Sequence, residues 1–251
     1  ELSGVLGKVI ATHLARRSQH MQGNGSSVPL FPMKRLLLLL SCAFLFGGLY
    51  AQESAFGNWL IYFGNKQIDT RWNIHNEVQY RTYDWGGDLE QFMLRTGLGC
   101  NLTEKNNNLL LGYGYIFSEN YSDRSEDKVS VNEHRIFQQF ITRHAIGSIS
   151  VQHRYRFEQR FIEDDYRMRL RYFLAVNVPL SKGGLVKGSW YGSAYNEIFV
   201  NTDRALFDRN RVYAGLGYRI ADGLRMELGY MNQIFSSGSR DQLNIVTFFS
   251  F

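Results

Sequence analysis

The sequence is poor in the residues that stop or staple a fold. Of 251 residues only three are proline and two cysteine, and beyond residue 51 these reduce to Pro179 and Cys100. A single thiol excludes an internal disulfide there, even in an oxidising compartment. Scarce proline leaves long stretches able to supply every N–H that a strand ladder needs. No apolar run reaches the ~20 residues that a membrane-spanning helix requires. Metal-ligand spacing is missing as well, since His75, His134, His144 and His153 are scattered and no second thiol accompanies them. The GxG steps at Gly97/Gly99, Gly112/Gly114 and Gly215/Gly217 lie inside alternating stretches, where glycine relieves crowding on a curved sheet. They do not form a nucleotide loop, and no cofactor is expected.

A surplus of one charge also disappears once the N-terminal region is set apart. Residues 33–52 read MKRLLLLLSCAFLFGGLYAQ, with Lys34 and Arg35 as a positive start, an apolar core and the small Ala51 at the cut. That is the layout of a secretory signal peptide, expected over 33–51. Its apolar run of about fifteen residues is too short for an anchor. Leu49 is bulkier than the residue usually found three before the cut, which blurs the boundary by a few positions. A Leu-Ser-Cys step ending at Cys42 resembles a lipoprotein site, but the apolar run continues past it. Residues 1–32 are expected to be a disordered upstream segment of an over-long reading frame, with Met33 the true start. Residues 1–51 hold five Lys/Arg and one acidic residue of the chain's 28 and 23, so 23 basic and 22 acidic groups remain. The formal charge of +5 thus belongs mostly to the leader region. A nucleic-acid partner is not expected without a basic surplus on the folded part.

What the remaining sequence does hold is alternation. Stretches of nine to fifteen residues alternate polar and apolar, separated by WGGD, EKNNN, SKGG, ADG and SSGSRD. Period two is that of a strand with two different faces. In 151–161, Gln152, Arg154, Arg156, Glu158 and Arg160 share one face, and Val151, His153, Tyr155, Phe157 and Phe161 the other. In 166–178, Arg167, Arg169 and Arg171 alternate with Tyr166, Met168, Leu170, Tyr172, Leu174 and Val176. Strand length, aromatic content and the number of such strands predict an all-β, closed, antiparallel up-and-down transmembrane β-barrel over 52–251. Strands are expected at 72–83, 89–102, 108–118, 131–144, 147–162, 166–180, 186–200, 209–219, 224–235 and 241–251. That makes ten, with both ends in the periplasm and longer loops outside. An eleventh candidate, 56–65, breaks the even count that bacterial barrels favour. It reads as a periplasmic or lumen-lying segment, or as one strand of a twelve-stranded alternative. The last strand, LNIVTFFSF, alternates and ends on Phe251. Outer-membrane barrels usually end this way, which implies outer-membrane lipid and the barrel-assembly machinery as partners.

Several phrases resemble a known family: EHRIFQQF (133–140), RYRFEQRF (154–161), YRMRLRY (166–172), YNEIF (195–199), NRVYAGLGY (210–218) and ELGYMNQ (227–233), with Trp59 and Arg81 ahead of them. They resemble the domain of unknown function 2490, an uncharacterised Gram-negative outer-membrane family treated as β-barrels. The resemblance covers 55–251 and implies location and fold. It implies no catalytic residue.

With the arginine-bearing faces turned inward, the lumen would hold Arg81, Arg95, Arg135, Arg154, Arg156, Arg160, Arg167, Arg169, Arg171, Arg211 and Arg225. Glu77, Glu133, Glu158, Glu197 and Glu227 would face them. Guanidinium bridges carboxylates and tyrosine hydroxyls from a rigid fork, which suits a crowded polar interior. The expected function is a narrow, porin-like channel or a small-solute binding and transport barrel for anions. The alternative is a structural or assembly barrel with a salt-bridged, occluded lumen. Wide channels need ~16 strands. An enzyme is not expected: His134 lies near Glu133, Asp127 and Ser130, but reads as a strand-end residue. Charge reversal at Arg167 or Arg169 is expected to harm the barrel more than at Lys182, which reads as a turn.

Overall fold

The computed structural model describes residues 56–84, 87–103, 106–122, 125–203 and 205–251. The expected upstream segment 1–32 and signal peptide 33–51 lie outside the described residues.

Eleven strands follow one another: β1 (Gly57–Gln67), β2 (Trp72–Thr82), β3 (Leu89–Asn101), β4 (Asn107–Ser122), β5 (Ser125–Ile146), β6 (Ile149–Ile162), β7 (Asp165–Pro179), β8 (Trp190–Asn201), β9 (Phe207–Ala221), β10 (Leu224–Phe235) and β11 (Gly238–Ser250). Each pairs antiparallel with the next, and β1 closes the ring against β11 in parallel. The fold is thus all-β and closed, but has neither ten strands nor twelve. The segment 56–65 is a full member: Trp59 pairs with Asn244 on one side and Arg81 on the other. An odd number of up-and-down strands can close only through one parallel pair, because first and last strand then run the same way. Consequently the start of β1 and the end of β11 lie at opposite mouths, not on one side.

Two other expectations shift. The loop expected at 119–130 is mostly ladder, with Glu119 opposite Ser130 and Tyr121 opposite Lys128. β3 pairs with β4 only as far as Gln91–Ser118, so this part of the hairpin overhangs the rim. Conversely, β8 starts at Trp190 instead of 186. Gly183, Gly184 and Gly188 take φ of 102°, 87° and 80°, which breaks the extended path before the strand begins.

The alternation sorts the faces. Outward positions of β2, β7, β8 and β10 carry no Asp, Glu, Lys or Arg among them. Leu60, Ile74, Leu94, Leu111, Tyr155, Leu170, Leu216 and Leu228 stand exposed on the outside. Inward positions hold nearly all the buried charge, including Glu77, Glu158, Arg156 and Arg169. An aromatic and aliphatic cluster of Trp59, Ile61, Tyr213, Met231 and Val246 packs inside β1 and β9–β11. The barrel is therefore polar-cored and apolar-skinned, the reverse of a soluble sandwich.

Candidate functional site

The lumen is built by register. Across β6 and β7, Arg156 faces Arg171, Glu158 faces Arg169, and Arg160 faces Arg167. Across β5 and β6, Arg135 faces Arg160 and Gln139 faces Arg156. These cross-strand positions put Glu158 among four guanidiniums. Its Oε2 accepts Nε and Nη2 of Arg169 at 3.0 and 2.7 Å, and its Oε1 accepts Arg171 Nη1 at 2.6 Å. Arg135 and Arg156 lie 3.7 Å from the same carboxylate, which is fully buried.

The lattice extends both ways. Glu133 accepts Arg135 Nε at 2.6 Å and Arg160 Nε and Nη2 at 2.6 and 2.9 Å. Glu197 on β8 accepts Arg154 at 2.7 Å and Arg171 at 3.0 and 2.6 Å, with Arg211 at 3.7 Å. Glu77 accepts Arg95 at 2.7 Å. The chemistry is self-consistent: charges removed from water must be paired and hydrogen-bonded, and each carboxylate here serves more than one partner or sits beside one. Aromatic faces take up the remaining guanidinium surface. Arg156 lies 4.5 Å from the Phe137 ring, while Arg171 and Arg211 flank Phe199 at 4.4 and 4.6 Å. Arg81 lies 3.6 Å over Trp59.

Four of the expected lumen residues stand apart from this lattice, the first being Arg81, which donates to Gln79 Oε1. Arg167 is a mouth residue, 35% exposed and bonded to its neighbour Asp165 at 2.8 Å. Glu227 accepts the hydroxyls of Tyr191 and Tyr213, at 2.9 and 3.4 Å. Arg225 lies 4.0 Å over the Phe248 ring. His134 stands within β5 rather than at its end, opposite Tyr115, and its Nδ1 is 2.6 Å from the Tyr113 hydroxyl on the outer face. Among the described residues no group of three or more His, Cys, Asp or Glu is arranged to hold a metal.

A cavity of about 620 Å³ leads inward from the mouth where β11 ends. Asn106, Asp222 and Ser250 line it at the rim, and Arg95, Arg156, Arg171 and Glu197 line it at depth. Glu158, Glu133, Arg135 and Arg160 are not part of its lining and stand beyond that floor. At depth Arg95, Arg154 and Arg171 are bonded to carboxylates, whereas Arg81 donates to Gln79, and the arginines nearer the mouth meet no carboxylate either among the described residues. Arg143 Nε donates to Gln152 at 2.9 Å. Arg219 donates to the backbone oxygens of Leu185 and Asp222 at 2.7 and 2.8 Å. Together with Arg225 these form no ion pair among the described residues. The sequence reading omits Arg143, Arg219, Arg209 and Arg240. Period two points to all four: Arg143 lies on the parity of Arg135 and Gln139, Arg209 and Arg219 on that of Arg211, and Arg240 on that of Gln242 and Asn244. All four stand near strand ends, where the alternation gives way to turn residues.

Residues 56–244 match the family model described as "Protein of unknown function (DUF2490)". The chain is also similar to an uncharacterized protein of Methylorubrum extorquens, 35% identical over 170 residues, which cover 62% of this chain and 69% of that protein. The family match begins just ahead of β1 and ends inside β11, and the chain belongs to the DUF2490 family.

Proposed function

We propose that this barrel sits in the outer membrane of a Gram-negative bacterium and that its lumen is a blind vestibule that binds small anionic solutes. The membrane part of the reading rests on the outer wall. Charge-free outward positions and exposed Leu, Ile and Tyr residues surround a polar core, and soluble proteins rarely expose apolar surface on that scale. The solute part rests on one observation: Arg143, Arg219 and Arg225 line the cavity without carboxylate partners. A cationic cleft with low-dielectric walls concentrates anions. The lattice around Glu158 fills the middle of the lumen, so steady conduction is not part of the reading. That same lattice favours the second reading, an assembly barrel with an occluded lumen, and the unpaired arginines are what argue against it.

The connections at the mouth where β1 begins include the overhanging β4–β5 hairpin. By analogy with barrels whose longer loops face outward, that mouth faces the exterior and the vestibule opens to the periplasm. Fractionation of cells expressing the full chain tests the location: the protein should follow the outer membrane and change gel mobility on heating. Recovery in the soluble fraction would sink the membrane reading. In planar bilayers the purified barrel should give no long-lived conductance steps, and large steady currents would overturn the blind vestibule.

A further inference from the structure

The vestibule walls differ in chemistry. Phe63 on β1 pairs in register with Phe248 on β11, which pairs with Arg225 on β10, which pairs with Arg219 on β9. One row of the sheet thus runs from two aromatics into two arginines. The Phe63 and Phe248 rings stack at 5.2 Å between centroids, and both pack on the Trp59–Tyr213 cluster. Arg143, on β5, is the third cation at this mouth. The nearest acidic side chain on the Arg225 strand, Glu227, is already engaged by two tyrosine hydroxyls.

We infer that the vestibule takes an amphiphilic organic anion: a carboxylate held by Arg225 and Arg143, with an aromatic body laid on the Phe63–Phe248 shelf. A simple inorganic anion would use the cations and leave the shelf wet. A neutral apolar molecule would use the shelf and leave two guanidiniums desolvated without a counter-charge, which is costly. A molecule that carries both groups satisfies both walls. The cavity volume, about 620 Å³, falls in the range that encloses drug-sized organic ligands. This inference rests on the anion-binding reading above and narrows it to one ligand class.

The test is calorimetry on the full chain in lipid nanodiscs, with empty discs subtracted. The probes are 3-phenylpropionate, acetate, inorganic phosphate and the neutral 3-phenylpropionamide. 3-Phenylpropionate should bind at least tenfold more tightly than the other three. Its binding should also show a negative heat-capacity change, the mark of apolar burial. Arg225→Gln and Phe248→Ala should each weaken it about tenfold while leaving the heat-dependent gel mobility intact. Arg143→Gln supplies the same reading should Arg225→Gln fail to fold. Equal binding of acetate or phosphate would overturn the amphiphile and leave the anion reading standing. Equal binding of the amide, or no binding by any probe, would overturn both.

Discussion

Glu158 illustrates how a single buried carboxylate can matter more than many surface pairs. It is fully buried and lies within 3.7 Å of Arg135, Arg156, Arg169 and Arg171. Glu158→Ala would leave those guanidiniums facing one another in a low-dielectric space. Losing one partner of a buried pair typically costs about 3–5 kcal/mol. The midpoint of heat- or urea-induced unfolding in detergent should fall accordingly. Arg167→Gln, at the solvent-exposed Arg167–Asp165 pair, should change the midpoint little, since such pairs contribute roughly 0–1 kcal/mol. A large loss at Arg167 would contradict its place at the mouth. The sequence expectation that charge reversal at Arg167 or Arg169 harms the barrel more than at Lys182 therefore divides: Arg169 spans Glu158 and Asp208, while Arg167 reaches only Asp165 among the described residues. Glycine supplies the second residue-scale device. A Cβ on Gly217 would lie 2.2 Å from the Tyr191 ring, and one on Gly112 2.2 Å from Phe137. Both aromatics are almost fully buried, so neither can swing into water. Gly217→Ala should lower stability by about 1–3 kcal/mol through overpacking. An unchanged unfolding midpoint would show that Tyr191 is freer than its burial implies.

Among the elements, β1 is the one most affected by how the ring closes. Its outward Leu60 pairs with Ile245 across the parallel seam. Neighbouring strands lie ~4.8 Å apart, within the Cα separation a disulfide accepts. In a Cys100→Ser background, Leu60→Cys with Ile245→Cys should cross-link under mild oxidation and retard heat unfolding. Failure to cross-link would favour a ten-stranded ring closed without β1. The β4–β5 overhang gives a pH-dependent counterpart. Lys128 on β5 donates to Asp88 in the β2–β3 loop and to Glu119 on β4, and Tyr121 donates to Asp88 at 2.5 Å. The Lys128 ammonium first, and then the Tyr121 hydroxyl, hold the Asp88 carboxyl below the usual carboxylate range. A depressed carboxylate stabilises the docked loop above its unfolded titration range, and that contribution is lost as pH falls through the lowered value. Proteolytic nicking by an acid-active protease should therefore rise only in strong acid, and Asp88→Asn should be nicked alike at every pH. The ten strands legible in the sequence were those whose alternation ran between turn residues, and their bounds mostly fall within a few positions of the structure. β1 was legible too, in the alternation of Trp59, Ile61 and Phe63. The preference for an even count outweighed it, and nothing in local pattern reveals a parallel closure between residues nearly two hundred positions apart. The overhang was hidden for a similar reason. Its polar strand faces hold together through long-range ties to Asp88, which no window around 119–130 contains.

At the scale of the whole molecule, the lumen has two regimes: an ion-paired lattice that fills its middle, and a mouth where Arg143, Arg219 and Arg225 form no ion pair among the described residues. The lattice was partly legible, because alternating Arg and Glu on β6 and β7 already placed both signs on one face. The division into regimes was not, since it depends on which arginines meet a carboxylate across the ring. Topology makes a prediction at this scale. In a Cys100→Ser background, a cysteine at Asp164 in the β6–β7 turn and one at Asp222 in the β9–β10 turn sit at opposite mouths. On intact cells a membrane-impermeant thiol reagent should label Asp164→Cys and spare Asp222→Cys, and labelling of both or of the latter alone would reverse or refute the proposed orientation. The parallel seam also constrains how such a ring can change over evolutionary time. Gaining or losing a hairpin changes the count by two and keeps it odd, so both ends stay at opposite mouths. Gaining or losing a single strand would bring the two ends to the same side, and would turn the seam antiparallel in the same step.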